Sequence, residues 1–386
     1  MERRHFVGLI GPTGAGKTPV AVALLRGATT YDVLTRGGVC VQRGRTLTVR
    51  EVALPFTTAK RRYVLVDTPG MPPFFRIACV ALSLIDDAIW IVDGDTSVTP
   101  HGRMLLRAAK GMGVRRVVVF VPRASADPLV RELADEEIRA EARAAGFADS
   151  PVVYEDVGAL VSVLDELPDV THDASAALSL PVQRVYRRHF NDAVAVGRIV
   201  RGRVRVGDDV ELVGLSRKNG VCRVEELQMF GERIDEATAG DLVAARFART
   251  EPYKGWAPYY EDIVVVERGK HIVAPGSVSA SRAFSCEVDL VATGHGGRRT
   301  PFATGFAPQF LLRTADVTGR CDLGGGRAEP GERVRMQVSL HEPAVVEDGM
   351  PFLVLGETAA ARGLVGIGSV IALSEAQSPR STDSGH

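Results

Sequence analysis

The chain has 386 residues, 45% of them hydrophobic and 24% charged, which is too long for one core and predicts a soluble globular protein of two or three domains. Lys plus Arg and Asp plus Glu both number 47, so net charge singles out no partner class; arginine, which outnumbers lysine, either supplies local phosphate contacts or reflects base composition. The five cysteines, Cys40, Cys79, Cys222, Cys286 and Cys321, form no C-x-x-C pair, which argues against a disulfide framework or zinc site and for a reducing, cytoplasmic setting without a membrane partner.

The opening Met-Glu-Arg-Arg-His leads into the apolar run Phe6 to Ile10 and not into a signal-peptide core. Behind that run, Gly11-Pro12-Thr13-Gly14-Ala15-Gly16-Lys17-Thr18 fits G-x-x-x-x-G-K-[ST], with a strand before it and the helix-forming Val20 to Leu25 after it. Backbone N–H groups from Gly11 to Gly16 are expected to cradle phosphate oxygens. Lys17 adds a mobile charge, and the Thr18 hydroxyl offers a ligand for Mg2+. Pro19 is tolerated because early helical N–H groups have no partner to lose.

Further apolar runs at Tyr63 to Val66, Ala88 to Val92, Arg116 to Val121 and Val152 to Tyr154 alternate with helical stretches. Such alternation predicts a parallel sheet wrapped by helices, an α/β P-loop domain over residues 1–172, with chemistry at the carboxyl ends of the strands. After the second run comes Asp67-Thr68-Pro69-Gly70, where the aspartate can hold magnesium through water and the Gly70 N–H can meet a terminal phosphate, as in a GTPase switch. Upstream, Thr46 is either the switch threonine that closes on the metal or an ordinary hydroxyl on a strand. A helix is predicted from Pro128 to Ala145, capped by Asp127, stopped by Gly146 and carrying an apolar stripe of Leu129, Leu133 and Ile138.

A joint is expected in Thr171 to Ser179, with a short helix there as the competing reading. From Ala193 onward, short strands with glycine turns at Arg201-Gly202 and Gly207-Asp208 predict an antiparallel β-barrel over 180–274. A third unit, also a β-barrel, is placed at 275–374, and a polar tail at 375–386 is expected to be disordered. Between Arg249 and Glu267 the residues Tyr253, Trp256, Tyr259 and Tyr260 cluster with prolines and glycine in a loop, either a partner surface or plain packing.

From the phosphate loop to about Ser374 the sequence resembles elongation factor Tu, of the translational GTPase family. The likeness rests on Gly197-Arg198-Ile199, Val206-Gly207-Asp208, Gln228-Met229-Phe230 and Asp235 to Asp241. It is strongest at Gly296 to Phe302, Pro308-Gln309-Phe310, Arg313 to Gly319 and Glu329 to Glu332. The resemblance implies GTP and Mg2+ bound by Lys17, Thr18, Thr46, Asp67 and Gly70, and aminoacyl-tRNA as partner of a monomeric protein. It also implies that Phe230 borders the pocket for the amino acid and terminal adenine, with core packing as the even alternative. Arg298, Arg299 and Arg362 would meet tRNA phosphates, with surface solubility as their other reading.

Two departures bear on chemistry. The family places a histidine after D-x-P-G to order the attacking water, whereas this chain has Met71, a thioether unable to do so. Where the family reads guanine with N-K-x-D, this chain has Pro122-Arg123-Ala124-Ser125, and the later S-A-L motif is replaced near Tyr154-Glu155-Asp156. No catalytic residue is therefore assigned. The expectation is an elongation factor Tu-like protein with a degenerate base site, open to ATP or another nucleotide, and weak or lost GTP hydrolysis. The alternative is a tRNA-binding pseudo-GTPase serving a tRNA-using enzyme away from the ribosome. An unrelated P-loop ATPase is disfavoured by the barrels.

Overall fold

A computed structural model describes residues 4–25, 39–42, 45–48, 52–94, 98–189, 192–215, 219–248, 266–356 and 363–373. The aromatic loop at Tyr253 to Tyr260, Arg362 and the tail lie outside the described residues.

The first unit contains β1 (Arg4–Ile10), α1 (Lys17–Leu24), β2 (Val39–Gln42), β3 (Arg45–Thr48), β4 (Val52–Thr57), β5 (Arg62–Asp67), α2 (Phe75–Leu82) and β6 (Asp87–Ile91). It continues with α3 (Pro100–Gly111), β7 (Arg116–Val121), α4 (Pro128–Ala144), β8 (Val152–Tyr154) and α5 (Val157–Glu166). Six strands form one sheet in the order β4-β5-β1-β6-β7-β8, with only β4 antiparallel to its neighbour. Period-2 alternation sends Phe6, Ile10, Val64, Val66, Trp90 and Val119 to one face, under α2, α3 and α4. Val7, Leu9, Leu65, Ile91, Val118 and Phe120 go to the other, under α1 and α5. Both faces are covered, as a parallel sheet requires. The strands run their carboxyl ends, and hence Gly11, Thr68 and Pro122, to one edge.

Helix α4 starts and stops as its sequence predicts: the Asp127 side chain accepts the Leu129 N–H at 2.9 Å, and Gly146 turns the chain with φ 84°. Its apolar stripe is different from the one expected. Ile138 is buried, but Leu129 and Leu133 are 63% and 58% exposed. They lie nine and five residues before Ile138, which at ~100° per residue puts them roughly 180° and 140° around the helix. The side facing the sheet edge is carried instead by Asp135, bonded to Tyr154 Oη at 2.6 Å, and by Arg131 over the Tyr154 ring.

From Leu167 to Leu178 the chain has turns and bends and no helix. The second unit has β9 (Ser179–Pro181), β10 (Arg184–His189), β11 (Asp192–Arg198), β12 (Arg203–Arg205), β13 (Asp209–Val213) and β14 (Gly220–Met229). It ends with β15 (Glu232–Ile234), β16 (Glu236–Thr238), β17 (Leu242–Ala248) and β18 (His271–Val273). Its main sheet runs β10-β11-β17-β14-β13-β18-β9 and curls into a half-barrel. β9 comes against β11 without a full ladder, held by Gln183 N–H to Val196 O and Val200 N–H to Ser179 O, both 2.8 Å. Gly197 permits that approach, since a Cβ there would lie 2.1 Å from Pro181 O.

The third unit is a closed barrel. Its strands are β19 (Ala280–Leu290), β21 (Gln309–Leu312), β22 (Ala315–Asp322), β24 (Arg333–Val345), β25 (Pro351–Leu355) and β26 (Leu364–Leu373), in the order β19-β24-β22-β21-β25-β26, with the short pair β20 (Phe302–Ala303) and β23 (Arg327–Ala328) beside it. Its core is built on Phe284, Phe310 and Phe352, whose ring centroids lie 5.6–6.1 Å apart.

The units are packed together. Leu353, Leu355 and Leu364 join the core under α3, where Gly111 leaves room for Leu353 and Ile367, and Arg76 pairs with Asp316 at 2.8 Å. Between the first and second units, Arg198 is buried and donates to Gly240 O, Leu84 O and Asp86 Oδ2 at 2.8, 2.7 and 2.7 Å. Among the described residues no helix is long and apolar enough to cross a membrane.

Candidate nucleotide site

The loop between β1 and α1 owes its shape to its glycines. Gly11 lies against the backbone of β6, where a Cβ would come 2.7 Å from Ile91 O. Gly14 and Gly16 hold φ of 94° and 99°, a left-handed backbone that other residues adopt at a cost. Ala15 N–H closes a turn on Pro12 O at 3.3 Å, and Gly16 sits at the N-cap of α1. The N-terminus of α1, with its partial positive charge, therefore faces the loop, and Pro19 enters the helix as its third residue without breaking it.

Lys17 is buried, and its Nζ donates to Gly11 O at 2.7 Å and Pro12 O at 3.0 Å. Burial lowers its pKa to about 8, against the attraction of Asp67, which raises it. Asp67 ends β5 fully inside the protein, and Thr68 Oγ1 donates to Leu9 O at 2.7 Å, pinning the switch strand to the loop strand. Gly70 closes over the loop. Its carbonyl accepts the Thr13 N–H at 3.0 Å, and a Cβ on it would lie 2.2 Å from Lys17 Nζ. Only glycine fits there, so the strand-end motif and the phosphate loop form one contiguous surface.

Magnesium fits the donor set. The Thr18 hydroxyl is half-buried at the first turn of α1, and the Asp67 carboxylate stands near Lys17; both are hard oxygen ligands of the kind this ion takes alongside water and phosphate. These two residues would hold it, and it would supply charge neutralisation between phosphates. Thr46 falls within β3, whose side chains lie outside the description.

The segment expected to form the base region, Pro122 to Ser125, lies beside the loop. Pro122 packs on the loop, with its Cγ 3.0 Å from where a Gly16 Cβ would be. Arg123 turns away to Asp93 at 3.0 Å, and Ser125 Oγ takes the Asp127 N–H at 3.3 Å. None of the three presents a carboxylate. Glu155, noted in the sequence only as part of the replaced S-A-L motif, adopts φ 58° and accepts the Ala124 N–H at 3.1 Å, holding the two loops together. Beside the loop a cavity of about 380 Å3 is lined by Pro12, Thr13, Trp90, Asp93, Thr99 and Arg123.

Met71 follows Gly70 at the start of a short 3-10 turn, half-buried. Phe230, also half-buried, sits in a tight turn with φ 52°, packed between the cores of the first and second units under the Arg4 guanidinium at 4.6 Å. Arg298 donates to Thr300 O at 3.1 Å and lies 4.4 Å over the Phe306 ring, whereas Arg299 is exposed. Both stand on the third unit.

Comparison with known proteins gives three family matches in chain order. Residues 2–137 match the elongation factor Tu GTP binding domain, 192–248 elongation factor Tu domain 2, and 277–373 the elongation factor Tu C-terminal domain. Among solved structures, a bacterial selenocysteine-specific elongation factor, EF-Sec, is similar with a TM-score of 0.71 at 18% identity, over 96% of this chain and 58% of that one. The chain thus spans less than two thirds of that relative's length. A phosphate loop on a parallel sheet, a switch glycine docked on it, and two β-rich units matched in order lead to one conclusion: the chain belongs to the elongation factor Tu superfamily of translational GTPases.

Proposed function

We propose that this protein is an elongation factor Tu-like carrier of aminoacyl-tRNA that binds a magnesium nucleoside triphosphate, with weak guanine preference and slow hydrolysis. The observation that carries the reading is the gathering of Lys17, Thr18, Asp67 and Gly70 about one glycine-built loop, in a chain that also matches domain 2 and the C-terminal domain of its family. The missing carboxylate at Ser125 and the thioether at Met71 support the loss of base reading and the slow chemistry. Exposed Arg299 suits phosphate contact on a tRNA stem, a recognition by shape. Arg298 and Phe230 are further proposed tRNA contacts, and Arg362, outside the described residues, is proposed from its place in the sequence alone. The same two departures favour a second reading, in which the carrier serves a tRNA-using enzyme and not the ribosome.

Protection of the aminoacyl ester against spontaneous hydrolysis tests the proposal. Purified protein with GTP or ATP and magnesium should slow ester loss on bulk aminoacyl-tRNA, and Lys17→Ala should abolish the effect. Absence of protection with any nucleotide would overturn the reading.

A further inference from the structure

The imidazole absent at position 71 has a counterpart on another element. His101 is the second residue of α3, directly after Pro100. The first turn of that helix is fixed: Thr99 Oγ1 accepts the Gly102 N–H at 3.0 Å, and a Cβ on Gly102 would lie 3.6 Å from Pro12 Cδ, so the turn rests on the phosphate loop. The His101 ring meets the Phe75 ring edge-on with centroids 6.0 Å apart, and Phe75 opens α2 just behind the switch glycine. The Gly70 backbone approaches the ring and the Lys17 charge reaches it. His101 thus stands where loop, switch and α2 converge.

Its ring nitrogens are what make the position informative. Both are buried, and among the described residues neither completes a hydrogen bond of good geometry. An orphaned buried polar atom is destabilising, and proteins tolerate it mainly at sites of function. A packed structural residue here would be cheaper as leucine or phenylalanine.

We propose that His101 orders the water that attacks the γ-phosphate, performing from α3 the task that the family assigns to a histidine after the switch glycine. The inference rests on the nucleotide reading above. One ring nitrogen, in the neutral imidazole, accepts a hydrogen bond from the water. The water oxygen forms a bond to γ-phosphorus while the bond from γ-phosphorus to the bridging oxygen breaks, its electron pair leaving with the nucleoside diphosphate. The water's proton ends on the released phosphate. Burial and the Lys17 charge hold the ring's pKa at about 4, the Gly70 backbone opposing them, so the accepting form is present at pH 7.

Single-turnover hydrolysis of γ-labelled GTP and ATP with protein in excess, alongside affinities from a fluorescent triphosphate analogue, tests this. His101→Leu should lower the hydrolysis rate at least tenfold, at the modest end of what positioned acid–base groups contribute, with affinity within twofold of the parent. His101→Gln, which keeps an acceptor, should retain a larger share of the rate and serves if the leucine variant does not fold. Met71→His in the His101→Leu background should restore activity. An unchanged rate in His101→Leu, or a rate that falls only as affinity falls, overturns the assignment. So does a parent protein that binds triphosphate without cleaving it, a result that leaves the nucleotide reading standing. A parent protein that binds no triphosphate overturns that reading first, and this inference with it.

Discussion

Replacing Arg198 with methionine tests how the second unit is held on the first. The guanidinium is 7% exposed and gives its hydrogen bonds to Gly240 O, Leu84 O and Asp86 Oδ2, with its carbon 4.1 Å above the Phe6 ring. Burial pushes Asp86 up, but the Arg198 charge and the His172 hydrogen bond outweigh it and hold the carboxyl well below its ordinary range. Methionine keeps the volume and leaves Asp86 with His172 at 3.3 Å and the Phe6 N–H at 3.0 Å. Breaking a buried pair from one side costs about 3–5 kcal/mol. With a urea slope of about 3 kcal/mol/M, the first unfolding midpoint should fall by roughly 1 to 1.7 M. Asp86→Asn combined with Arg198→Met should cost clearly less than the sum of the two, because no unpaired charge is left behind. A loss below about 1 kcal/mol for Arg198→Met, or strict additivity in the double variant, would refute the reasoning.

Helix α4 offers a contrast within one element: Ile138→Ala should cost about 2–4 kcal/mol in thermal or urea unfolding, whereas Leu129→Ser and Leu133→Ser should each stay within about 0.5 kcal/mol. Gly197→Ala should destabilise the half-barrel by at least about 2 kcal/mol, because the new methyl meets the Pro181 carbonyl and not a flexible side chain; a near-neutral melting shift would show that β9 yields. His271, buried on β18 with its Nδ1 3.3 Å from Ser179 Oγ, has its pKa lowered to about 3 by burial and by Arg313 and Arg201. An unfolded histidine takes up a proton below about pH 6.5 and the folded one does not, so this stability is complete above 6.5 and drains as pH falls, at up to about 1.4 kcal/mol per unit. The stability difference between parent and His271→Asn should therefore shrink steadily from pH 6.5 to 4; a pH-independent difference would exclude the linkage.

What the sequence made legible depended on how local its cause was. Arg116 to Val121 is a strand over the residues expected, because Val117 to Val121, valines with one phenylalanine, are strong strand formers. Asp127, Pro128 and Gly146 mark the ends of α4 through single-residue chemistry. Its buried side does not follow from its leucines, because the rotation of the helix is set by Asp135 and Tyr154, which meet only once β8 is in place. Half-closure of the second unit, likewise, depends on how near β9 comes to Gly197. At the nucleotide site, the loop and Gly70 were readable because glycine has few other reasons to recur at that spacing. His101 was not: the chain separates it from Gly70 by a helix and a strand, and only the packing of α3 on Pro12 brings the two together.

The proposed function requires that this loop grip phosphate and magnesium while the base is read poorly. Calorimetric titration of the purified protein with GTP and then ATP, each with magnesium, tests that claim most directly. Both triphosphates should bind, with dissociation constants within about tenfold of one another, and Lys17→Ala should lose both. Preference for GTP by about a hundredfold or more, the scale a hydrogen-bonded base site reaches, or no binding of either nucleotide, would contradict it.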